Sequence, residues 1–482
     1  MRYGKLFEFV RRSAGALLLL GGVELILKSP TLAADMDCAV PVPAPAPACQ
    51  PQCSDEIYKR AGERLAQQLE QMNQCQSGGP AACAAPGDGC APGSACNSGQ
   101  HCMLGSIFGN GCGGDQPLGD PWKLSKENGF DFGGWFEMGY QSKPDGAFTG
   151  NGPFLDDNEH KSFNLNQLYL YVTKVADGNH QRGWDWGFRA DMIYGVDGNE
   201  AQSFGNVKSG YWDFANGLDH GIYEIGIPQL YGEWAMGSFS VKLGHFWTPT
   251  GYDLYTAPDN FFFSRQLTWY NGEPFTHSGA LATYKVNDKL TVSGGWVAGW
   301  DTGFQSYNDG SLGLFGAAYT ISDKTTLSYF GAYGQAGWRG EGALNGIILS
   351  HKWTDKLMTV HQFDVFQTDN ASDPVAVGGD FATDGVAGDD VAMVNNVYYD
   401  LTAKWRLGGR LEWYKADGTS YNALCYGVNY KPDANWVIRP EVRHLWAPGV
   451  NDGGAAPGTI AANVSDVYGN STIFGVDAIF KF

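Results

Sequence analysis

From Phe130 to Phe482 apolar and polar side chains alternate with period two in stretches of about nine to thirteen residues, broken by turns rich in Gly, Asp and Asn. Successive side chains of a strand point to opposite faces, so this alternation predicts strands with one apolar and one polar face. In Trp184 to Tyr194 one parity reads Trp184, Trp186, Phe188, Ala190, Met192 and Tyr194. The other reads Asp185, Gly187, Arg189 and Asp191 before Ile193 breaks it. Trp436, Ile438, Pro440 and Val442 alternate with Arg439, Glu441 and Arg443 in the same way, although Pro440 is awkward in a paired strand. Phe130, Phe132, Phe136 and Met138 oppose Asp131 and Glu137, with Trp135 on the wrong parity. Similar segments centre on Leu168, Trp234, Val241, Leu281, Val292, Leu314, Leu327, Ile348, Val360, Tyr399, Leu411 and Tyr426. Together they predict an all-β body of about sixteen antiparallel strands, within a range of about 14 to 18, enough to close around a water-filled channel.

A soluble sandwich, propeller or lectin-like fold alternates too, because one sheet face covers a core. Three features favour a transmembrane β-barrel. Arg, Asp and Glu repeatedly share the less apolar face, and Tyr and Trp cluster near segment ends, where interfacial girdles require them. At the chain end Phe474, Val476, Ala478, Phe480 and Phe482 place an apolar residue at every second position. That pattern resembles the C-terminal signal by which the barrel-assembly machinery recognises outer-membrane barrels.

The N-terminal part differs in kind. Residues 1–34 read as a cleaved export signal: Arg2, Lys5, Arg11 and Arg12 precede the apolar run Ala16 to Leu20, and Leu32-Ala33-Ala34 offers a cleavage site. Glu24 and Lys28 interrupt it, and no segment has the roughly 20 apolar residues of a membrane-spanning helix, so membrane residence must come through strands. Residues 35–120 form a Pro- and Cys-rich region, opening on a polyproline-like spacer at Val40 to Pro47 and carrying a short helix at 54–74 with Ser54 as N-cap. Cys38, Cys49, Cys53, Cys75, Cys83, Cys90, Cys96, Cys102 and Cys112 read as a disulfide framework, because so few large apolar residues cannot build a core. Zinc held by Cys96, His101 and Cys102 is the lesser alternative, since the spacing matches no standard finger. The odd thiol could bond a second subunit, pair with Cys425 or stay free. The barrel is expected over residues 125–482.

Composition adds constraints. A net charge of −19 without a basic stripe excludes nucleic acid as a partner. Acidic residues concentrate in Gly-rich connections such as Asp369 to Asp390, which read as solvated loops or as a cation preference. The stretch Gly251 to Ser278 is too long for a tight turn and is dense in charge and aromatic rings, so it is expected to fold into the channel. Asp259, Arg265, Glu273 and His277 in that loop, with Arg189, Asp191, Lys242, Arg439, Glu441 and Arg443 on the wall, are the candidate pore-lining or constriction residues. For Arg265 and His277 the plainer role is a structural pair that fixes the loop. The aromatic rings could anchor the loop, cover a subunit contact or stack against sugars. No Gly-x-Ser-x-Gly, His-Glu-x-x-His or phosphate-binding loop stands out, and no catalytic residue, metal or cofactor is expected.

The chain resembles the OmpL-like β-barrel porin family. The resemblance rests on Phe163 to Tyr171, Gly183 to Asp191, Gly244 to Tyr252, Asn260 to Arg265 and Pro274 to Gly279, and covers roughly residues 125 to 482. It implies a barrel in the outer membrane and passive passage of small hydrophilic solutes or ions. Outer-membrane lipid and a homo-oligomer, a trimer by analogy with porins, are the expected partners. The alternative is an envelope-organising or adhesive protein, anchored by the barrel, whose Cys-rich arm makes disulfide-linked contacts.

Overall fold

The computed structural model describes residue 118 and residues 121–127, 129–142, 163–203, 212–213, 216–368, 389–416, 419–448 and 471–482. The export signal, the Pro-rich spacer, the helix at 54–74 and the nine N-terminal cysteines lie outside them.

Seventeen strands form one antiparallel sheet. They are β1 (Ser125–Glu127), β2 (Phe130–Gln141), β3 (Phe163–Lys174), β4 (Asp185–Gly195), β5 (Glu224–Met236), β6 (Phe239–Trp247), β7 (Thr276–Lys285), β8 (Leu290–Val297) and β9 (Ser311–Ser322). The second half holds β10 (Thr325–Gln335), β11 (Glu341–Lys352), β12 (Leu357–Thr368), β13 (Asp389–Asp400), β14 (Trp405–Ala416), β15 (Thr419–Tyr430), β16 (Trp436–Trp446) and β17 (Ser471–Lys481). Each strand from β2 onward pairs with its chain neighbour, and β17 returns to β2 through Lys481↔Trp135 to Gly475↔Gln141, so 16 strands close a ring. The last residue extends this seam: Phe482 N–H donates to the Gly134 carbonyl and Gly134 N–H to that of Phe482, both at 2.9 Å. β1 adds only a short hairpin with β2. Among the described residues the α-helices are α1 (Gly198–Ala201) and α2 (Leu267–Asn271).

Short turns join the strands at the end that carries the C-terminus, such as Gly237-Ser238 between β5 and β6, where Gly237 sits at φ +56. Long connections gather at the other end, among them residues 196–223, 248–275 and 298–310. The alternation predicted from sequence is the alternation of the wall. β16 runs half-buried, buried, half-buried along its whole length, with Arg439, Glu441 and Arg443 inward and Ile438, Pro440 and Val442 outward. Pro440 is accommodated at a break in the ladder: β15 pairs with β16 from Asn422↔Trp446 to Gly427↔Glu441 and resumes only at Tyr430↔Ile438. Lacking an N–H, proline cannot donate there. On β17 the predicted outward set Phe474, Val476, Ala478 and Phe480 faces away from buried Ile473, Asp477 and Ile479.

The outer surface is apolar around the ring, with Leu243 at 59%, Leu411 at 49% and Phe315 at 49% exposure. A water-soluble fold would cover such a surface; hydrocarbon needs no cover. Aromatic side chains gather toward the C-terminal end of the ring, where Trp436 and Phe480 stand 4.9 Å apart, Phe136 and Phe480 5.5 Å apart, and Trp405 stacks on Tyr430 at 4.3 Å. Rings with one apolar body and a polar edge suit the boundary of a bilayer.

If this surface faces lipid, Leu411→Arg will lower the unfolding free energy in vesicles by about 2–4 kcal/mol, while Leu411→Ala costs far less. Denaturant titration of the folded barrel measures this, and equal stability of the two variants would place Leu411 in water.

Candidate functional site

Two of the irregular positions in the sequence pattern have one cause. Trp135 and Ile193 face inward and are buried, against the polar parity of their strands, and pack in one cluster with Tyr169, Val437 and Ile479. The same cluster contains Tyr255, Ala257, Trp269, Tyr270 and Phe275 from the connection between β6 and β7. That connection, residues 248–275, folds inside the ring as expected, and apolar wall residues mark where it docks.

Its path is fixed by polar ties to strands around the ring. At Gly251 the backbone adopts φ +81, and a Cβ there would lie 1.8 Å from the Glu273 carboxylate, so only glycine fits where the two limbs of the loop meet. Tyr252 N–H donates to Gln362 Oε1 of β12 at 3.0 Å, and Gln362 Nε2 donates to Glu273 Oε1 at 2.5 Å. Next to a turn of 3-10 helix at Ala257–Asp259, the carbonyls of Ala257 and Asn260 accept from Arg439 Nη1, each at 2.8 Å. Phe263 N–H donates to Glu441 at 2.9 Å. The carbonyls of Ser264 and Arg265 accept from Arg410 of β14 at 3.0 Å, and the N–H of Leu267, which begins α2, donates to Glu412 at 2.6 Å. β14 lies eight strands round the ring from β6, so the loop crosses the bore.

The returning limb is held from above. Asp301, between β8 and β9, accepts from Phe275 N–H at 2.6 Å and Thr276 N–H at 2.8 Å, and Arg339, between β10 and β11, donates to the Asn271 carbonyl at 2.7 Å. Burial pushes the Asp301 carboxyl up to about 7, against the opposing pull of those two N–H groups and Arg339.

The predicted site residues fall into two groups. Asp191, Lys242, Arg265, Glu273, His277, Arg439, Glu441 and Arg443 are buried, while Arg189 and Asp259 keep partial exposure. Arg439 pairs with Asp477 and, at 3.0 Å, with Glu137. Arg265 binds the Phe263 and Tyr255 carbonyls within its own loop, and His277 bridges Thr248 Oγ1 and the Gly299 carbonyl. Lys242 stands over the Tyr231 ring at 4.6 Å, and Arg443 approaches Glu412 at 3.9 Å. Cys425 is a buried free thiol on β15, 3.8 Å from Ser264 Oγ. Sequence reasoning missed Arg410, Glu412 and Gln362, which tie the loop to the wall, and Glu137 and Asp477, which pair with the Arg439 that holds it. Their inward parity was readable, but nothing local indicated what they would meet.

The bore is not polar throughout. Leu281, Leu314, Phe330, Leu344, Ile348 and Val360, inward on β7 to β12, share a buried apolar cluster with Tyr252, Phe261 and Phe262 of the loop. On β3 and β4, Tyr171 and Arg189 remain half-buried, with Arg189 and Asp259 both in electrostatic reach of the Tyr171 hydroxyl.

A closed barrel with an apolar skin, ion pairs inside and one long loop packed across its bore defines a porin-type membrane barrel. Over residues 129–482 the chain matches the family model described as "Putative beta-barrel porin-2, OmpL-like", and it belongs to that family. Among solved structures it is similar to the outer membrane channel DcaP of Acinetobacter baumannii, at 11% identity and a TM-score of 0.47 over 75% of this chain and 99% of that one. It is similar also to OmpF of Salmonella typhi, in a complex with daunomycin (12%, TM-score 0.48, over 73% and 97%). A third is an anion-selective porin from Comamonas acidovorans (13%, TM-score 0.45, over 73% and 99%). No curated protein matches the chain.

Two outcomes test the docking. Arg439→Met strands Glu137 and Asp477 as buried charges, for which the expected cost is roughly 3–5 kcal/mol. It also frees the carbonyls of Ala257 and Asn260, so cleavage near residue 260 in limited proteolysis should appear; an uncut loop at parental stability would refute the tie. For Asp301, a folded value of about 7 against an unfolded value of about 4 means that its stabilising contribution is complete below pH 4 and is lost as pH rises through 7. Asp301→Asn keeps an oxygen acceptor for both N–H groups and removes that loss. The variant should therefore be more stable than the parent at pH 8 and gain nothing near pH 4, as read by thermal unfolding at both values.

Proposed function

We propose that this protein is an outer-membrane porin whose water-filled passage admits small hydrophilic solutes and ions by passive diffusion. What carries the reading is the division of the bore. Apolar side chains fill the side of β7 to β12, whereas Arg189, over the Tyr171 ring of β3 at 5.1 Å, and Asp259 of the inner loop keep partial exposure. The passage runs along that polar side, narrowed by the inner loop, with opposed charges that sort solutes by sign and dipole. Of the other candidates, Arg265, Glu273, His277, Arg439 and Glu441 serve to fix the loop that shapes the constriction. The outward-facing apolar residues from Phe474 to Phe482 act as the assembly signal during insertion.

Planar-bilayer recording of the folded protein should give discrete conductance steps. Arg189→Gln should shift the reversal potential in a salt gradient toward cation preference and Asp259→Asn toward anion preference, each by about twofold or more in permeability ratio. Intact barrels that pass no discrete current would overturn diffusion and favour the anchored, adhesive reading. Conductance with neither shift would move the constriction elsewhere.

A further inference from the structure

The outward face of β10 to β13 carries hydrogen-bonding groups well inside the strand ends. His361, the fifth of the 12 residues of β12, and Asn395, the seventh of the 12 of β13, stand opposite each other. Both are half-buried and share the outward parity of Phe363 and Val397. His361 Nδ1 lies 2.8 Å from Asn395 Oδ1, and its Nε2 lies 3.2 Å from Thr359 Oγ1. On β10 the Tyr329 ring folds over Gly331, where a Cβ would stand 2.5 Å from the Tyr329 hydroxyl. The hydroxyls of Tyr329 and Tyr333 both donate to Oδ1 of outward Asn345 on β11, that of Tyr329 at 3.0 Å. The amide nitrogens of Asn345 and Asn395 have no partner among the described residues. By contrast Asn422 of β15, near a strand end, donates its amide to the Trp446 carbonyl at 3.3 Å.

Lipid tails accept no hydrogen bond, so each of these two amides, facing hydrocarbon, leaves donors unmet at a cost that a second protein wall would remove. The patch suits a copy of itself. An amide is donor and acceptor at once, so either asparagine can bond to its counterpart. The outward positions between the two amides hold Ile347, Leu349, Phe363 and Met393, and no charged side chain stands among them. A chain of net charge −19 can therefore meet itself here without like charges in contact. We propose that the outer wall of β10 to β13 is the surface on which a second copy of this chain docks, with the Asn345 and Asn395 amides bonded across the contact. The proposal needs only a barrel that spans a bilayer and does not depend on what passes through the bore.

The test is the association of the folded full-length protein in phosphatidylcholine vesicles, read by energy transfer between donor- and acceptor-labelled copies. A reductant is present throughout, so that the N-terminal cysteines cannot link the copies. The parent should show transfer that rises with its density in the bilayer. Asn345→Leu combined with Asn395→Leu replaces both amides by side chains that lipid accepts, and it should weaken association about tenfold or more, the worth of two neutral hydrogen bonds. Asn422→Leu, on the far side of the ring, should associate as the parent does. A cold-versus-boiled gel shift establishes that each variant is folded. A monomeric parent would overturn the proposal and leave the patch to lipid or to another protein. A double variant that associates as tightly as the parent, or an Asn422→Leu variant weakened to the same degree, would also overturn it.

Discussion

The seam between β17 and β2 is the constraint from which the rest follows. In hydrocarbon no water satisfies an exposed N–H or carbonyl, and an open sheet edge would leave a whole row of them unpaired. Only when Phe482 meets Gly134 and Lys481 meets Trp135 does every strand gain two neighbours. Closure then fixes which parity of each strand faces lipid and which faces the bore. The apolar last residues are thus part of the wall itself, contributing skin on one face and, through Asp477, a carboxylate on the other.

A ring of sixteen strands encloses more space than wall side chains can fill, so something must occupy it. Here the connection between β6 and β7 does so, and the means are mostly charged. Carrying Arg410, Arg439, Glu412 and Glu441 out of water is expensive unless their bonding capacity is met. The loop supplies what they lack: backbone carbonyls for the two arginines, backbone N–H groups for the two carboxylates. Charged wall and irregular loop therefore require each other. The loop has little regular hydrogen bonding of its own, and the wall charges have no water.

This reciprocity explains what was legible in the sequence. Strand number followed from alternation, because period two is a local property of every strand, while closure was expected from the charged face, the aromatic segment ends and the C-terminal pattern. That Gly251 to Ser278 enters the bore could be read from its length and rings. The partners of the loop could not, since Gln362, Arg410 and Arg439 lie far along the chain and their parity states only that they face inward. The pattern breaks held more information than they revealed alone. Trp135 and Ile193 looked like noise against a polar face, yet each marks a wall position covered by the loop, and Pro440 marks a gap in the ladder.

The apolar stretches of the bore have the same origin. A strand's inner face need be polar only where water remains, and once a loop rich in Phe and Tyr lies against the wall, leucine and isoleucine are the better partners. Val360 and Phe366 alternate on β12 with Gln362 and Asp364, so a single strand changes from apolar packing to loop ties within a few residues. Polarity inside this barrel therefore maps what each position touches. Around Tyr171 and Arg189, by contrast, the wall side chains keep some exposure. That is the side along which the proposed passage runs.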